Sequence, residues 1–457
     1  MVPSPVSIAI QLAQLAQTGL VHITLIDPAP KIGRGLACLF CDDNLLLNVP
    51  AGNMSAFADD PGHFMRYCQT IGPSVSAGTF ASRRLYGQYL QDTLTHTQAQ
   101  HRGILSTMVA EAQALERAND TLGWRVHLAS GQVLSVDQVV LAFGHQSPRF
   151  PLPLGHAEQP SVLDSWDFDA MHRLPSGEPV LVLGTGHTAV DALFCLSQAQ
   201  PNRPITMVSR HGLMPLPHRI NPNAPIPQVF PPYLQGLPPQ VRTYLRAFWQ
   251  HLRTLDVQGI DWRAALNELR PNTPQLWQSL PASEHGRFLR HVQGHRDVHR
   301  HRLDPMAAHR LDSLVASCRV RTVAARLQAL KQRCDHLEVL VRHRGTGQLE
   351  SIRVCAIANG TGPNADASRA TNPLLRSMVQ QGLIQPHPNG LGLSDTPQHQ
   401  LLNAQQQPVK RLCYLGPMLK AQFWEATAVP DLRGRAQQMV HTFLASLGTK
   451  SHFEESS

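Results

Sequence analysis

Two glycines and an alanine at the spacing G-x-G-x-x-A, within VLVLGTGHTAVDALFCL, are the residues of this chain best suited to handling a phosphate. An apolar strand (Val180 to Leu183) leads into them, and an apolar-periodic helix beginning near His187 follows. Gly184 permits a sharp strand-to-helix reversal. Gly186 removes a Cβ from the path of a pyrophosphate, and Ala189 stands where a small residue lets helix and strand pack closely. Thr185, His187 and Thr188 complete the turn, whose N–H groups face an anion at the helix start. A second strand (Ile205 to Val208) comes roughly 20 residues on and ends in Ser209 and Arg210. An acid there would take the ribose 2′-hydroxyl of NAD, whereas Ser and Arg suit a 2′-phosphate, so NADPH is the expected cofactor. The bland alternative is that Arg210 is a solvated surface residue.

Other chemistry-bearing residues are less well placed. Cys38 and Cys41 form a C-x-x-C pair, but no second pair follows at zinc-like spacing. The eight cysteines are spread as in a protein of a reducing compartment and read mostly as buried small hydrophobes. In HVQGHRDVHRHR, His291, His295 and His299 recur at i, i+4 and would share one helix face, a pattern able to hold zinc. Arg290, Arg296, Arg300 and Arg302 are interleaved, Gly294 interrupts the helix, and nearby cations oppose a metal, so no metal is expected. An anion-facing wall with Asp297 fixing the arginines fits better. His299 and Arg300 are then candidate contacts for substrate or nicotinamide phosphate, or are simply solvated. No Ser/His/Asp or Cys/His set has a nucleophile context, and no catalytic side chain is assigned. Glu425, in FWEATAVP, is either a helix-start carboxylate or a cofactor-side acid. Such a chain suits chemistry carried by a bound cofactor, for which the protein supplies position, electrostatics and exclusion of water.

The elements that position these residues begin with a helix, VSIAIQLAQLAQTG, and a β-branched strand, VHITLID, ending in Asp27. They read as the back half of another βαβ unit whose first strand and glycine loop are missing, either because the start lies too far downstream or because this site has lost its phosphate cradle. KIGRGLA, LLLNVPAGNMSAF, ADDPGHFMRYC, RRLYGQYL and VDQVVLAFGH follow in order. With GTGHTAVDALFCL, ITMVSRHGLMPLPH, DVHRHR, IANGTG and GPMLKAQFWEATAVPDLRGRAQQM, they resemble the FAD/NAD(P)-binding proteins of the FAD-dependent urate hydroxylase and aspartate N-hydroxylase type. These are distant relatives of the two-dinucleotide flavoprotein monooxygenases. The resemblance implies that Asp27 contacts the adenosine ribose of FAD, that Arg34 and Gly35 line its pyrophosphate, and that Asn48, Val49 and Pro50 lie beside the flavin. It also implies that Gly144, after the strand Val139 to Phe143, and Gly360, after the strand Val354 to Ala358, mark crossings between domains beside the cofactor. Gly416 and the turn Ala428 to Pro430 would sit at the flavin ring, where the closing helix starts.

The expected fold is α/β, with two Rossmann-like dinucleotide-binding domains and the NAD(P) domain inserted in a discontinuous FAD domain. Residues 1–150 and 351–457 would build the FAD domain; 151–350 would build the NAD(P) domain, with a helical insertion over about 240–330. QSPRFPLPLGHAEQP fits a crossing segment, the Pro-rich stretch from Leu213 to Pro239 an ordered loop, and SHFEESS a disordered tail. With 457 residues, 42% hydrophobic and 16% charged, the composition is that of a globular protein. The net charge of +8 is scattered without aromatic interleaving, which argues against nucleic acid and for solvated surface plus an anionic cofactor. No apolar run reaches membrane-span length and no signal peptide is apparent, so a cytoplasmic location is expected. The functional expectation is an FAD-dependent, NADPH-using monooxygenase acting on a small polar substrate. The alternative is a degenerate flavoprotein that binds NADP(H) alone, as a scaffold or redox sensor.

Overall fold

The computed structural model describes residues 4–16, 21–35, 38, 43–72, 75–118, 123–219, 229–426 and 428–454. Two compact units emerge: Met1–Gln146 with Arg270–Leu280 and Ala365–Ser457, and Ser147–Leu269 with Pro281–Asn364.

The first unit opens with α1 (Ser4–Leu15), whose Val6, Ile10 and Ala13 are fully buried, and β1 (Ile23–Asp27). After α2 (His63–Ile71), the helix α3 (Arg83–Gln100), capped by Ser82 accepting from Leu85 N, returns the chain to β2 (Leu105–Val109). β1 and β2 pair in parallel, Ile23 opposite Leu105. An antiparallel meander follows, β3 (Ala112–Arg117), β4 (Trp124–Leu128) and β5 (Val133–Val136), then β6 (Val139–Leu141).

The second unit holds a seven-stranded sheet. It contains β7 (Val162–Asp164), α4 (Phe168–His172), β8 (Val180–Leu183), α5 (His187–Ala199) and β9 (Ile205–Ser209). Residues Ala189 to Leu196 of α5 are all buried, as expected of a predominantly apolar helix, Asp191 being the one charged residue among them. Then come α6 (Val241–Val257), α7 (Trp262–Leu269), α8 (Thr273–Ser279, grouped with the first unit), α9 (Ala282–His291), α10 (Gln293–Arg300) and α11 (Pro305–Ala316). β10 (Val320–Gln332), β11 (Leu337–His343), β12 (Leu349–Val354) and β13 (Ala356–Asn359) complete the unit. The strand order is β12-β11-β10-β9-β8-β13-β7, parallel from β10 to β7. The five parallel strands form a doubly wound arrangement with β8 at their centre.

The chain returns to the first unit through α12 (Pro373–Gln380), β14 (Gln400–Leu402), β15 (Pro408–Tyr414) and α13 (Val429–Glu454). β15 runs parallel to β6 and antiparallel to β14.

Four expectations are corrected. Residues 320–330 are not helical: their Ala, Leu, Gln and Arg content favours helix, but pairing with β9 and β11 overrides it. The strand expected from Val354 to Ala358 divides at Cys355, β12 ending in the antiparallel meander and β13 entering the parallel sheet. His291 and His295 belong to different helices, because the break falls at Val292, whereas Gly294 lies inside α10. Ser451 to Glu454, expected to be disordered, continue α13.

Candidate functional site

The carboxyl end of β8 carries the sharpest turn of the second unit. Gly184 adopts φ +120°, its N–H donates to Val208 O at 2.7 Å, and a Cβ there would lie 2.2 Å from Gly360 O. A Cβ on Gly360 would in turn lie 2.8 Å from Ala189, so strand end, turn and helix touch through small residues. Gly360 thus meets the glycine turn of the second unit. Thr185 is buried; its hydroxyl donates to Leu213 O at 2.5 Å and lies 2.9 Å from Ser209 Oγ, which accepts from Gly212 N at 3.0 Å. These bonds tie the turn to the end of β9.

Gly186 differs from its neighbour. It is exposed, its backbone is extended (φ −80°, ψ −174°), and a Cβ there would meet nothing within 4 Å. α5 starts directly after it with no side-chain cap, leaving the helix start open to an anion. His187 donates from Nε2 to His301 O at 2.9 Å, and Thr188 is half-buried one position on. At the end of β9, Arg210 is exposed and makes no hydrogen bond or ion pair among the described residues. His211 packs beside His295, ring centroids 5.6 Å apart, and against Gly294. An uncapped helix start, an open glycine and a basic strand end fit the pyrophosphate and 2′-phosphate of NADP(H).

The histidine-rich segment is arranged differently from the expected wall. Asp297 lies 3.5 Å from Arg296 Nη1 and 3.9 Å from His301 Nε2. It is Asp261 that gathers arginines, Arg219 and Arg263, each at 3.0 Å. His299 donates to His295 O at 2.7 Å and meets Trp262 edge-on at 5.0 Å. Among the described residues no group of three or more His, Cys, Asp or Glu is placed to hold a metal.

In the first unit Asp27 ends β1. Its carboxylate accepts from Ala29 N at 2.9 Å, and burial raises its pKa against the lowering pull of the Ala29 and Gly33 N–H groups. Gly33 and Gly35 both have positive φ, and Arg34 between them donates from Nε to Gln91 Oε1 at 2.8 Å. Asn48, Val49 and Pro50 are half-buried and lead into a single turn, Ala51–Asn53, held by Ala51 N donating to Thr79 O. Gly144 and Gly416 come together because β6 and β15 are neighbours. A Cβ on Gly416 would lie 2.5 Å from Tyr414 Oη and 3.2 Å from Phe143 O. Tyr414 fixes this crossing, donating to Phe143 O and accepting from Met418 N, both at 3.1 Å. Nothing in the sequence singles Tyr414 out: it is fully buried, and its partners are brought to it only by the pairing of β6 with β15. Glu425 is 3% exposed, and Trp277 of α8 covers this stretch, donating to Ala421 O at 2.7 Å. Cys38 is buried, which pushes its thiol up to about 11; Cys41 and residues 1–3, ahead of α1, lie outside the described residues. The residues present fit the ribose and flavin ends of FAD.

Residues 3–146 match the model of the FAD-NAD(P)-binding family. No curated protein matches the sequence. Among solved structures, the ornithine hydroxylase of Pseudomonas aeruginosa superposes with a TM-score of 0.65 at 16% identity, covering 96% of each chain. The L-lysine 6-monooxygenase of Pseudomonas syringae gives 0.64 at 16% identity, over 98% of this chain and 97% of that one. An ornithine N-hydroxylase of Kutzneria sp. 744, described with reduced FAD, NADP+ and L-ornithine, gives 0.65 at 13% identity, over 98% and 97%. No helix among the described residues is long and apolar enough to cross a membrane. The chain has the mixed α/β fold of these FAD/NAD(P) flavoprotein monooxygenases.

Proposed function

We propose that the protein is an FAD-dependent, NADPH-using oxidoreductase, a monooxygenase hydroxylating a small polar substrate, of the urate hydroxylase and aspartate N-hydroxylase type that its motifs resemble. The observation that carries this reading is the glycine turn at β8, open at Gly186 and backed by an uncapped helix, in a fold shared with monooxygenases described with FAD and NADP. FAD, when bound, accepts hydride and activates dioxygen. The chain's own residues do the rest. Gly186 and the first turn of α5 would hold the pyrophosphate, with Thr185 and Ser209 keeping the turn on the end of β9. Arg210 would pair with the 2′-phosphate. Asp27 would bind the adenosine ribose, Arg34 and Gly35 would line the pyrophosphate, and Asn48, Val49, Pro50, Gly144 and Gly416 would border the flavin.

The test is the purified protein itself. Its absorption spectrum should show bound FAD, NADPH should bleach that spectrum anaerobically much faster than NADH, and labelled dioxygen should enter the product. NADPH binding without flavin would replace this reading with the scaffold or redox-sensor alternative. Binding of neither would defeat both.

A further inference from the structure

Arg302 is a buried cation that makes no ion pair among the described residues. It sits on the extended segment after α10, where His218 N donates to Leu303 O at 2.8 Å and Leu303 N to Leu216 O at 2.9 Å. The residue is 6% exposed. Among the described residues its one hydrogen bond runs from Nη2 to Asn267 Oδ1 at 2.9 Å, and its buried Nε has no acceptor. The charges of Arg300, Arg263 and Arg219 act against it, and the carboxylate of Asp261, which favours it, is held by Arg219 and Arg263 at 3.0 Å each. Burial, then the neighbouring guanidiniums, pulls Arg302 down to about 10.

A purely structural cluster would spend its guanidiniums on the backbone. Arg263 does so, donating to Pro217 O at 3.1 and 2.9 Å and lying over the Trp262 ring at 4.3 Å. Arg302 does not. An amide oxygen supplies only a dipole, and a buried charge requires a counter-ion to offset its desolvation. Nor does this place coincide with the 2′-phosphate end of the turn. His211, next to Arg210, lies against Gly294 and His295 at the start of α10, while Arg302 lies beyond its last residue, the helix between them accounting for roughly 9 Å at 1.5 Å per residue.

We propose that Arg302, flanked by Arg219, Arg263 and Arg300 and walled by Trp262, is a second oxyanion site of this unit, taking the carboxylate or phosphate group of a small molecule other than the 2′-phosphate of NADPH. Assigning that molecule to the substrate rests on the function proposed above; the site itself does not.

The experiment uses the full chain, saturated with adenosine 2′,5′-bisphosphate to fill the 2′-phosphate position and the adenosine half of the pyrophosphate position. Malonate and inorganic phosphate are titrated against chloride at equal ionic strength, with melting temperature and calorimetric affinity as readouts. At least one of the two should stabilise the parent beyond chloride. Arg302→Met should weaken that binding by roughly ten-fold or more. Asn267→Asp places a carboxylate where an amide oxygen already meets Nη2, so it should raise the melting temperature without added anion and abolish the response to it. The Asp variant keeps the test decisive should Arg302→Met fail to fold. A parent that responds to neither anion, an Asn267→Asp variant that responds like the parent, or an anion displaced by adenosine 2′,5′-bisphosphate would each overturn the site. NADPH binding, measured separately by fluorescence, tells failure of this site from failure of the dinucleotide reading.

Discussion

The two units carry related strand sets but differ at the centre. In the second, β8 joins β9 and β10 on one side to β13 and β7 on the other. In the first, β1 with β2 and β6 with β15 and β14 supply the corresponding flanks yet remain two sheets, with no described strand paired to both β1 and β6. The meanders differ as well. β10 runs unbroken from the parallel sheet into its meander, whereas β2 and β3 are separate strands. One strand, β8, therefore both fuses the sheet and aims the glycine turn. The strand ends differ in sign: β1 ends in Asp27 and β9 in Ser209 followed by Arg210, an acid suited to a bare ribose and a base suited to a 2′-phosphate.

The largest effect should come where sheet and turn are joined. Gly184→Ala puts a methyl group 2.2 Å from Gly360 O at φ +120°, combining backbone strain of about 1–3 kcal/mol with a clash against backbone that cannot rotate away. Denaturant unfolding should show a loss of about 3 kcal/mol or more, confined to the second unit. A loss under about 0.5 kcal/mol would mean that β8 is not the rigid centre argued above.

Two residues along, the same class of substitution should do the opposite. Gly186 has ordinary extended backbone and open space at its Cβ, so Gly186→Val should leave the melting temperature nearly intact. The side chain then occupies the volume assigned to the pyrophosphate. NADPH affinity should fall by about 100-fold, or about 2.7 kcal/mol, with dithionite still bleaching any bound flavin. Unfolding, or normal reduction by NADPH, would move the second dinucleotide site elsewhere.

The contrast in sign at the strand ends is sharpened by Arg210→Ala. Loss of a charge-assisted contact of roughly 1.5–3 kcal/mol should raise the NADPH dissociation constant about ten-fold or more and leave NADH little changed. Equal losses for both nucleotides would make Arg210 a general electrostatic residue rather than the 2′-phosphate partner.

How far the sequence reached depended on whether a feature is local. β8 runs over Val180–Leu183 and α5 begins at His187, both as read, because an apolar run, a glycine turn and a periodic helix are encoded by neighbours. β10 was misread as helix because its strand character comes from β9, more than 100 residues earlier in the chain. The same holds for the arginines. Charge pattern alone suggests Asp297 as the anchor of Arg290, Arg296, Arg300 and Arg302; it lies 3.5 Å from Arg296, while two arginines that the pattern does not include, Arg219 and Arg263, gather on Asp261, since the 213–219 segment folds back onto 298–303. Tyr414 was invisible for a similar reason: its partners Phe143 and Met418 meet only once β6 and β15 pair.

The smallest expected effect lies in the meander. Glu350 on β12 reaches across to β10, accepting from Arg321 at 2.6 and 2.7 Å, with His343 at 2.7 Å. These contacts hold its carboxyl at about 2, below the ordinary 4.5, the Arg321 bonds being the largest cause. A carboxylate whose pKa is lowered by folding adds stability that is full above pH 4.5 and is lost as pH falls toward 2. Arg321 is half-exposed, so solvent screening limits the gain to about 0.2–1 kcal/mol. Glu350→Gln should lower the second unit's stability by that amount at pH 7 and flatten its acid limb, with nothing changed at the glycine turn. The first unit's meander also has a cross-strand contact, His127 Nε2 to Glu116 at 3.1 Å, but no arginine–carboxylate pair among its described strand-to-strand contacts, and its buried Trp124 adds a neutral bond, donating to Arg411 O at 3.0 Å. An acid limb that persists unchanged in the Gln variant would place the responsible carboxylates outside the β10 to β12 meander, and the two meanders would then differ in sequence without differing in how they respond to acid.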